Sequence, residues 1–278
     1  MIRRTWVNGV EQNTISASDR GLQFGDGLFE TMALIGGKVR HVERHLDRLT
    51  LGCERLGIPC PRRAELLDEF SRFAGAEGRA VLKLVLTRGV SERGYRIPES
   101  LQPTRILSLN DWPNYPAEWW EQGVKVRWCK TTLSGQPALA GLKHLNRLEQ
   151  VLARREWSDP DIAEGLMCDR RGYLIGGTMT NVFLVRGKTL TTPRVDECGV
   201  AGTMRTTILE LANALGLEGA VQEIAGVDVA KAEEMFLTNA LIGAWPVHQL
   251  GELRLPRSTV TRQVQSVLAS SSPNRFRA

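Results

Sequence analysis

The sequence lacks the features that mark disulfide-stapled, zinc-binding and membrane-spanning proteins. Its five cysteines are scattered and form no Cys-X-X-Cys pair, so neither a disulfide framework nor a metal site is predicted. No apolar run approaches the roughly 20 residues that a membrane span needs. The N-terminal segment MIRRTWVNG lacks the apolar core of a signal peptide, and we therefore expect a cytoplasmic protein.

A strongly basic surface is also absent. The 36 lysines and arginines are dispersed among 31 acidic residues, and the net charge is +5. Because no basic stripe carries interleaved aromatic residues, the pattern disfavours nucleic-acid binding. The small positive excess suits an anionic small molecule, although the ordinary role of such a charge is solubility.

Apolar periodicity predicts a mixture of strands and helices along the whole chain. At 278 residues the chain can bury a sizeable core. Runs of strands interrupted by separate helices favour an α+β fold over a wound parallel sheet. The predicted strands lie at 2–7, 28–35, 81–86, 106–109, 124–128, 166–167, 182–185 and 188–191, and the predicted helices at 41–56, 62–74, 145–157, 204–215, 227–234 and 259–268.

Composition divides the chain into two domains. The run DWPNYPAEWWEQ (111–122) is rich in Pro and Trp and has no period, which is typical of a linker. We therefore expect a small α+β domain at 1–112, a linker at 113–122 and a larger α+β domain at 123–270. Residues 271–278 are expected to form a disordered tail.

Lys143, in the run GLKHLNRLEQ (141–150), is a candidate amine nucleophile. It lies between small and apolar neighbours, where desolvation frees the amine lone pair that a Schiff base needs. The ordinary alternative is a surface lysine at the end of a strand. Composition alone favours this alternative.

A second candidate site is the run GVAGTMR (199–205), which leads directly into a helical pattern. Free backbone N–H groups and the helix dipole at such a start bind an anion. The alternative is ordinary capping of this helix by the hydroxyl of Thr203.

Five motifs occur in order along the chain: FGDGLFET, HLDRL, GLKHLNRLEQ, TNVF and GVAGTMR. Together they resemble the fold-type IV family of pyridoxal-phosphate enzymes, which includes branched-chain and D-amino acid aminotransferases and 4-amino-4-deoxychorismate lyase. The runs KHLNRLEQVLA and RGYR are most similar to the lyase branch. The resemblance implies a two-domain D-amino acid aminotransferase-like fold, pyridoxal 5'-phosphate as cofactor, and a homodimer.

The resemblance also implies roles for individual residues. Lys143 forms the Schiff base with the cofactor and then acts as the general base, and the domain at 123–270 binds the cofactor. The other implied cofactor-binding residues, for phosphate or ring, are Arg48, Val200, Thr203, Met204, Asn239 and Ala240. From the residues alone, Arg48 is equally a solvated arginine on a helix face, and Asn239 and Ala240 only follow a strand.

Three further side chains are candidates for the substrate, 4-amino-4-deoxychorismate, which carries two carboxylates. Arg93 and Tyr95 match the RGY pattern of the lyases, and Asn146 follows Lys143 closely. An exposed basic hairpin tip is the alternative for the loop at 93–95. Thr31 is a candidate proton relay near the leaving group, with an ordinary β-branched strand residue as its alternative.

One position departs from the family pattern. Family members carry a glutamate for the pyridine nitrogen, whereas this chain has Gly176 there. A missing charged hydrogen bond of roughly 1.5–3 kcal/mol slows a carbanion-forming step by one to two decades. Three explanations are open. The cofactor binds with an unprotonated pyridine nitrogen, or a water molecule or Thr178 contacts that nitrogen in place of the glutamate. In the third, the protein is catalytically impaired.

The sequence therefore supports one leading hypothesis and two rivals. The leading one is a lyase that releases 4-aminobenzoate and pyruvate by eliminating enolpyruvate, because aromatisation supplies driving force that a transaminase lacks. The first rival is an aminotransferase of the same fold, although Phe29 stands where those relatives often have tyrosine. The second is a catalytically impaired dimer that keeps the fold.

Overall fold

The computed structural model describes residues 2–255 and 258–270. The chain divides into two compact units, one formed by Met1–Asn114 with Leu142–Asn146, the other by Tyr115–Gly141 with Arg147–Ala278. The segment predicted as a linker, 113–122, is therefore mostly part of the second unit. It contains a short helix in which Trp120 is buried. The tail predicted at 271–278 lies outside the described residues.

The first unit is built on an antiparallel sheet. Within the described residues its strands are β1 (Ile2–Val7), β2 (Val10–Glu11), β3 (Gly27–Ile35), β4 (Lys38–Val39), β5 (Arg79–Thr87) and β6 (Thr104–Asp111). They are ordered β2-β1-β6-β5-β3-β4 across the sheet. The strand predicted at 2–7 is confirmed. β5 and β6 extend the predicted strands at both ends, and β3 begins one residue earlier than predicted.

The helices of this unit are α1 (Arg20–Phe24), α2 (Val42–Leu56) and α3 (Arg63–Ser71). α2 and α3 pack on one face of the sheet, and α1 lies beside the Thr87 side chain of β5. Leu46 and Leu49 of α2 join Leu28 and Met32 of β3 in one buried cluster. Because strand side chains alternate between faces, Leu28, Glu30 and Met32 point to this core and the residues between them point away from it.

The second unit contains a mixed sheet. In the described chain its strands are β7 (Val124–Trp128), β8 (Ile162–Cys168), β9 (Leu174–Gly177), β10 (Asn181–Arg186), β11 (Thr189–Pro193), β12 (Glu218–Gln222), β13 (Glu234–Asn239), β14 (Gly243–Leu250) and β15 (Leu253–Arg254). The order is β12-β11-β10-β13-β14-β7-β8-β9, and β15 pairs with β14. The pairs β11–β12, β14–β7 and β7–β8 are parallel.

The helices of this unit are α4 (Glu118–Glu121), α5 (Leu148–Arg154), α6 (Thr203–Leu211), α7 (Gly226–Val229) and α8 (Thr259–Ser270). Met204 and Ile208 of α6 and Val264 of α8 pack with the stacked rings of Phe183 and Phe236. A second cluster, centred on Trp245, contains Trp120 of α4. The sheet is therefore covered by apolar side chains from separate helices.

Two predicted helices are wrong in extent. The helix predicted at 227–234 is only Gly226–Val229, because the apolar run from Glu234 forms β13, a buried central strand. The helix predicted at 145–157 begins at Leu148, because the Leu145 amide donates to the Gly27 carbonyl at 3.0 Å instead. Within residues 2–255 and 258–270, no helix combines the length and hydropathy needed to cross a membrane.

Candidate active site

Lys143 lies on a short extended segment that pairs with the start of β3. Its carbonyl accepts a hydrogen bond from the Phe29 amide at 2.9 Å, and two residues later Leu145 bonds to Gly27. Alternate hydrogen bonds of this kind hold the backbone on both sides of the lysine. They fix the direction in which its side chain leaves the chain.

The amine of Lys143 lies over the ring of Phe29. Its Nζ is 4.1 Å from the ring centroid, which is a cation–π distance. The lysine is half-buried, and the ring covers one side of the nitrogen with carbon. Lys143 is therefore not simply solvated at a strand end, and its role as the amine nucleophile stays a prediction.

Thr31 shares a face of β3 with Phe29. The two residues are separated by one position on the strand, and residues so spaced line one face. This is the face opposite the apolar core, and it carries the Phe29 ring that holds the lysine amine. The position is compatible with the predicted proton relay, which stays a prediction.

Arg48 lies in a buried ion pair with Glu30. Its Nε donates to Glu30 Oε1 at 2.8 Å and its Nη2 to Oε2 at 2.5 Å, a bidentate arrangement. His45 Nδ1 lies 2.6 Å from the same Oε2. All three side chains are at most 12% exposed, so Arg48 is not the solvated helix-face arginine that the sequence left open.

The charge of Glu30 is stabilised by its two partners. Burial alone raises the pKa of this carboxyl, but the Arg48 guanidinium and the His45 hydrogen bond outweigh it and lower the pKa to about 2. Glu30 is therefore ionised throughout the physiological range. The orientation of Arg48 depends on a carboxylate that the sequence motifs did not single out.

A buried arginine anchors the predicted substrate loop. Arg20 donates to the carbonyl of Gly94 at 3.1 Å and to that of Tyr95 at 3.3 Å. Asp26, the acid of FGDG, accepts from Arg20 Nε and from Arg88 Nε, each at 2.8 Å. The loop backbone is thus tied to the same motif that starts β3.

The three predicted substrate residues lie at the surface of the first unit. Arg93 is exposed, and Tyr95 is 84% exposed with its ring 5.2 Å from that of Phe24. Asn146 Nδ2 donates to the Gly25 carbonyl at 3.2 Å. Arg93 and Tyr95 lie on one loop, and Asn146 is the last residue of the segment that contains Lys143. Their roles stay predictions.

In the second unit, α6 begins in the way that the anion-binding hypothesis requires. Gly202 is its N-cap and Thr203 its first residue, so the alternative in which Thr203 caps the helix is wrong. A side chain at Gly202 would collide with Asn181 Oδ1, which explains the glycine. No capping side chain therefore covers the backbone N–H groups of the first turn, and these groups and the positive end of the helix dipole can bind an anion.

Asn181 also forms a hydrogen bond with the loop that precedes α6. Its Nδ2 donates to the Val200 carbonyl at 2.9 Å. On the other side of the loop, the Ala201 amide donates to the Gly141 carbonyl at 2.9 Å. The backbone around Val200 is therefore held on both sides, and its contact with the cofactor ring stays a prediction.

Asn239 forms a compact turn at the end of β13. Its Oδ1 accepts from the amides of Leu241 and Ile242 at 2.9 and 3.0 Å. Its Nδ2 donates to the Met179 carbonyl at 3.4 Å, which links this turn to the one after β9. Thr178, Asn239 and Ala240 therefore lie in neighbouring turns, and their roles in cofactor binding stay predictions.

The buried carboxylate of Glu164 holds the turn after β9 by hydrogen bonds. Its carboxylate accepts from the Thr178 hydroxyl at 2.6 Å, the Met179 amide at 3.1 Å and the Thr180 hydroxyl at 3.0 Å. Burial raises the pKa of Glu164, and these donors offset only part of that rise. Because the Thr178 hydroxyl donates to Glu164, its remaining polar capacity is to accept a hydrogen bond.

Gly176 is buried at the end of β9, where its backbone pairs with Met167. A Cβ built there would lie 2.9 Å from the Thr180 carbonyl oxygen, closer than real side chains approach. The position is therefore both uncharged and sterically restricted. The tight turn at 178–180, held by Glu164, is the cause of that restriction.

Motif analysis missed several of these residues. Glu30 and Asp26 stand inside FGDGLFET, and Asn181 stands inside TNVF, so the signal was present as polar residues within apolar strand patterns. Glu164 had the weaker signal of an acid in a short apolar run. Arg20 lay outside every motif, and its contact with residues 94–96 is a long-range one that no local pattern reveals.

Comparisons with known proteins agree with this geometry. Residues 27–250 match the amino-transferase class IV family. A crystal structure of 4-amino-4-deoxychorismate lyase from Pseudomonas aeruginosa is similar with a TM-score of 0.92 and 47% identity, covering 96% of this chain and 98% of that chain. Aminodeoxychorismate lyase from Vibrio harveyi is 33% identical over 95% of this chain and 98% of the relative. A putative branched-chain-amino-acid aminotransferase of Methanocaldococcus jannaschii is 29% identical over 85% and 82%.

Proposed function

Because this chain belongs to the amino-transferase class IV family, we propose that it is a pyridoxal 5'-phosphate-dependent lyase that converts 4-amino-4-deoxychorismate to 4-aminobenzoate and pyruvate in folate biosynthesis. The observation that carries the proposal is the Lys143 amine held over Phe29. The likeness to the Pseudomonas and Vibrio lyases supports it along nearly the whole chain. The predicted fold-type IV, α+β fold is confirmed by the same matches.

Each unit contains residues that fit one polar group of this cofactor. In the first unit Lys143 supplies a positioned amine for the aldehyde, and in the second the glycine-capped start of α6 supplies backbone donors for the phosphate. We assign Thr203, Met204, Asn239 and Ala240 to the phosphate, together with Arg48, and Val200 to the ring. The third position, the pyridine nitrogen, has Gly176 in place of a carboxylate.

When bound, pyridoxal phosphate supplies an electron sink for the carbon that bears the substrate amine. Lys143 would remove the proton from that carbon, because its amine becomes a free base when the substrate amine takes its place. The Phe29 ring holds the amine in position and covers one of its sides. The lysine thus serves in turn as the attachment point and as the base.

The elimination balances in the following way. The ring carbon that bears the amine loses a proton, and the carbon–oxygen bond to the neighbouring enolpyruvyl group breaks. The leaving enol takes up a proton and becomes pyruvate, while the ring becomes aromatic as 4-aminobenzoate. Thr31, on the face of β3 that carries Phe29, passes that proton to the leaving group.

The missing nitrogen carboxylate is tolerable for this reaction. Aromatisation of the ring supplies driving force, so the reaction needs a shallower electron sink than transamination does. The Thr178 hydroxyl, which donates to Glu164, is able to accept from a protonated nitrogen but not to donate to a bare one. We therefore infer that no side chain replaces the family glutamate as a charged partner.

Substitutions at Gly176 test this inference. Gly176→Ala is expected to cost about 1–3 kcal/mol of stability, because its Cβ meets the Thr180 carbonyl. Gly176→Glu adds a carboxylate, and Gly176→Gln adds a neutral side chain of the same size, so the ratio of the kcat values of these two variants isolates the effect of the charge. We expect a ratio near one. A ratio of about ten or more would mean that the natural nitrogen site limits the rate.

The reaction itself separates lyase from aminotransferase. Purified holoenzyme is incubated with 4-amino-4-deoxychorismate without any keto acid, and pyruvate and 4-aminobenzoate are measured. We expect equimolar products. Strict dependence on a keto-acid acceptor contradicts the lyase and supports the aminotransferase, and retained cofactor with no turnover on either substrate supports the impaired dimer.

We propose that the protein is a homodimer located in the cytoplasm. The dimer is supported by α5, whose Leu148, Val151 and Leu152 are 70%, 53% and 45% exposed. At this spacing the three side chains form one apolar stripe on the helix. Apolar stripes left exposed on one chain commonly mark a protein–protein interface.

Charge placed on this stripe is expected to separate the subunits. The double variant Leu148→Glu/Val151→Glu should elute as a monomer in light scattering while the wild-type protein elutes as a dimer. Leu51→Glu on α2 is the matched control, since Leu51 is 52% exposed. A double variant that stays dimeric excludes α5 from the interface.

A further inference from the structure

The loop at 91–96, which carries Arg93 and Tyr95, has little hydrogen bonding of its own. In the part of the chain that the structure describes, residues 92–97 form no backbone–backbone hydrogen bond. Among the same described residues, the exposed side chain of Arg93 forms neither a hydrogen bond nor an ion pair. The direction in which Arg93 points therefore depends on whatever holds the backbone of this loop.

The side chain of Arg20 supplies that hold. Besides the carbonyls of Gly94 and Tyr95, it donates to the Arg96 carbonyl at 3.4 Å and to the Ser91 hydroxyl at 3.2 Å. A guanidinium has five N–H donors in a planar fork, and no other side chain offers so many. The loop is thus wrapped around one buried arginine, which is 3% exposed.

The backbone from which Arg20 extends is itself fixed on the sheet. The preceding residue, Asp19, is fully buried, and its Oδ2 accepts from the Thr87 hydroxyl at the end of β5 at 2.9 Å. The Arg20 amide donates to the Gly89 carbonyl at 2.9 Å. Arg20 therefore transmits the position of β5 to a loop that has few other contacts.

Arg88 provides a natural comparison for Arg20. Both arginines are buried, and both donate from Nε to the same Asp26 oxygen at 2.8 Å. The remaining donors of Arg88 go to the carbonyls of Leu56 and Gly57, at the end of α2, at 2.7 and 2.6 Å. The two residues have similar burial and the same counter-charge, and they differ in the segment that each one holds.

We propose that Arg20 is a positioning residue for substrate binding, which fixes the direction in which Arg93 meets a carboxylate of the substrate. The inference rests on the proposed function, whose substrate carries two carboxylates. A loop that is held in advance does not have to be ordered when the substrate binds, so the affinity is higher. A carboxylate keeps its charge through the reaction, so the contact acts on KM rather than on kcat.

The first test compares Arg20→Lys with Arg88→Lys in the holoenzyme. Lysine keeps the charge beside Asp26 and loses the planar fork. We expect Arg20→Lys to raise KM for 4-amino-4-deoxychorismate about tenfold and to change kcat less than about threefold. Arg88→Lys, the matched control, should lose similar thermal stability and keep KM within about twofold. An unchanged KM in Arg20→Lys, or an equal rise in both variants, overturns the inference.

A double-mutant cycle tests whether Arg20 acts through Arg93. Arg93→Met alone should raise KM at least about tenfold, because a charged hydrogen bond to the substrate is lost. Adding Arg20→Lys to Arg93→Met should then raise KM less than about threefold further, since the residue that Arg20 positions is gone. Effects that multiply, or a wild-type KM in Arg93→Met, overturn the inference and leave the lyase function intact.

Limited digestion with trypsin measures the hold on the loop without any activity. Cleavage after Arg93 and Arg96 should be roughly tenfold faster in Arg20→Lys than in the wild-type protein or in Arg88→Lys. Equal rates in the three proteins overturn the inference. If the wild-type enzyme releases no pyruvate, the proposed function fails, and the role in substrate binding fails with it even where the digestion differs. Should Arg20→Lys not fold, Ser91→Ala removes one acceptor of Arg20, and a KM rise of less than about twofold there contradicts the inference.

Discussion

Replacing Lys143 with alanine is expected to lower the rate of pyruvate release by about a thousandfold or more. General base catalysis alone contributes roughly 10²–10⁴-fold, and the same amine also attaches the cofactor. The substitution removes a half-buried side chain from above Phe29 but leaves the backbone pairing with β3. The fold should therefore persist, and thermal denaturation is expected to show a small change.

Lys143→Arg is the matched control for charge and size. Arginine keeps a cation over the Phe29 ring but is too basic to supply a free amine, so this variant should be as inactive as the alanine. Borohydride reduction followed by mass spectrometry should attach the cofactor to the Lys143 peptide in the wild-type protein only. Added methylamine is expected to restore part of the activity of Lys143→Ala but none to Lys143→Arg.

Two results would contradict this assignment. The first is borohydride attachment at another lysine, for which Lys83 is the nearest candidate because it contacts the same ring. The second is a Lys143→Ala protein that keeps more than about a tenth of the wild-type rate, since one lost base should cost at least tenfold more. Either result would mean that Lys143 is not the lysine that binds the cofactor and acts as the base, although the chain belongs to the family.

Sequence periodicity predicted the elements whose burial is one-sided. The helix at 41–56 was predicted because one of its faces packs on a core, which leaves a regular apolar pattern. The helix predicted at 227–234 ends at Val229, and its last predicted residue, Glu234, already lies in β13. A strand buried on both faces, as β13 is, has a continuous apolar run, so periodicity does not mark where the helix before it ends.

Positions within the candidate site were predictable where they follow a local rule. The glycines before α6 and the lysine of KHLNRLEQ are examples, since a short stretch of chain defines each. The partners of these residues were not predictable. Arg48 and Glu30 are 18 residues apart, and Arg20 reaches a loop more than 70 residues away. Only the folded sheet brings such groups together.

The buried pair of Glu30 and Arg48 should be the largest single contributor to stability among the site residues. Removing one member of a buried ion pair leaves the other charge uncompensated, which costs about 3–5 kcal/mol. Glu30→Gln keeps the size of the side chain and removes only the charge. We expect it to lower the free energy of unfolding by that amount in urea titrations at neutral pH.

The pH dependence follows from the lowered pKa of Glu30. A carboxyl whose folded pKa is below its unfolded pKa contributes its full stability above the unfolded value, here 4.5, and loses it as pH falls toward about 2. The advantage of wild-type over Glu30→Gln should therefore be constant above about pH 5 and shrink below pH 4.5. Glu43→Gln is the control: Glu43 is on the same helix as Arg48, and its exposed pair with Arg63 of α3 should be worth less than about 1 kcal/mol.

Cofactor affinity tests whether Glu30 matters beyond stability. If Glu30 orients Arg48 toward the phosphate, Glu30→Gln should weaken binding of pyridoxal 5'-phosphate roughly tenfold or more and leave that of pyridoxal, which has no phosphate, nearly unchanged. Equal weakening of both would mean that the variant distorts the site as a whole. Unchanged affinity for both would mean that the Glu30–Arg48 pair only stabilises the core. The phosphate ligands would then be the residues of α6 and of the Asn239 turn alone.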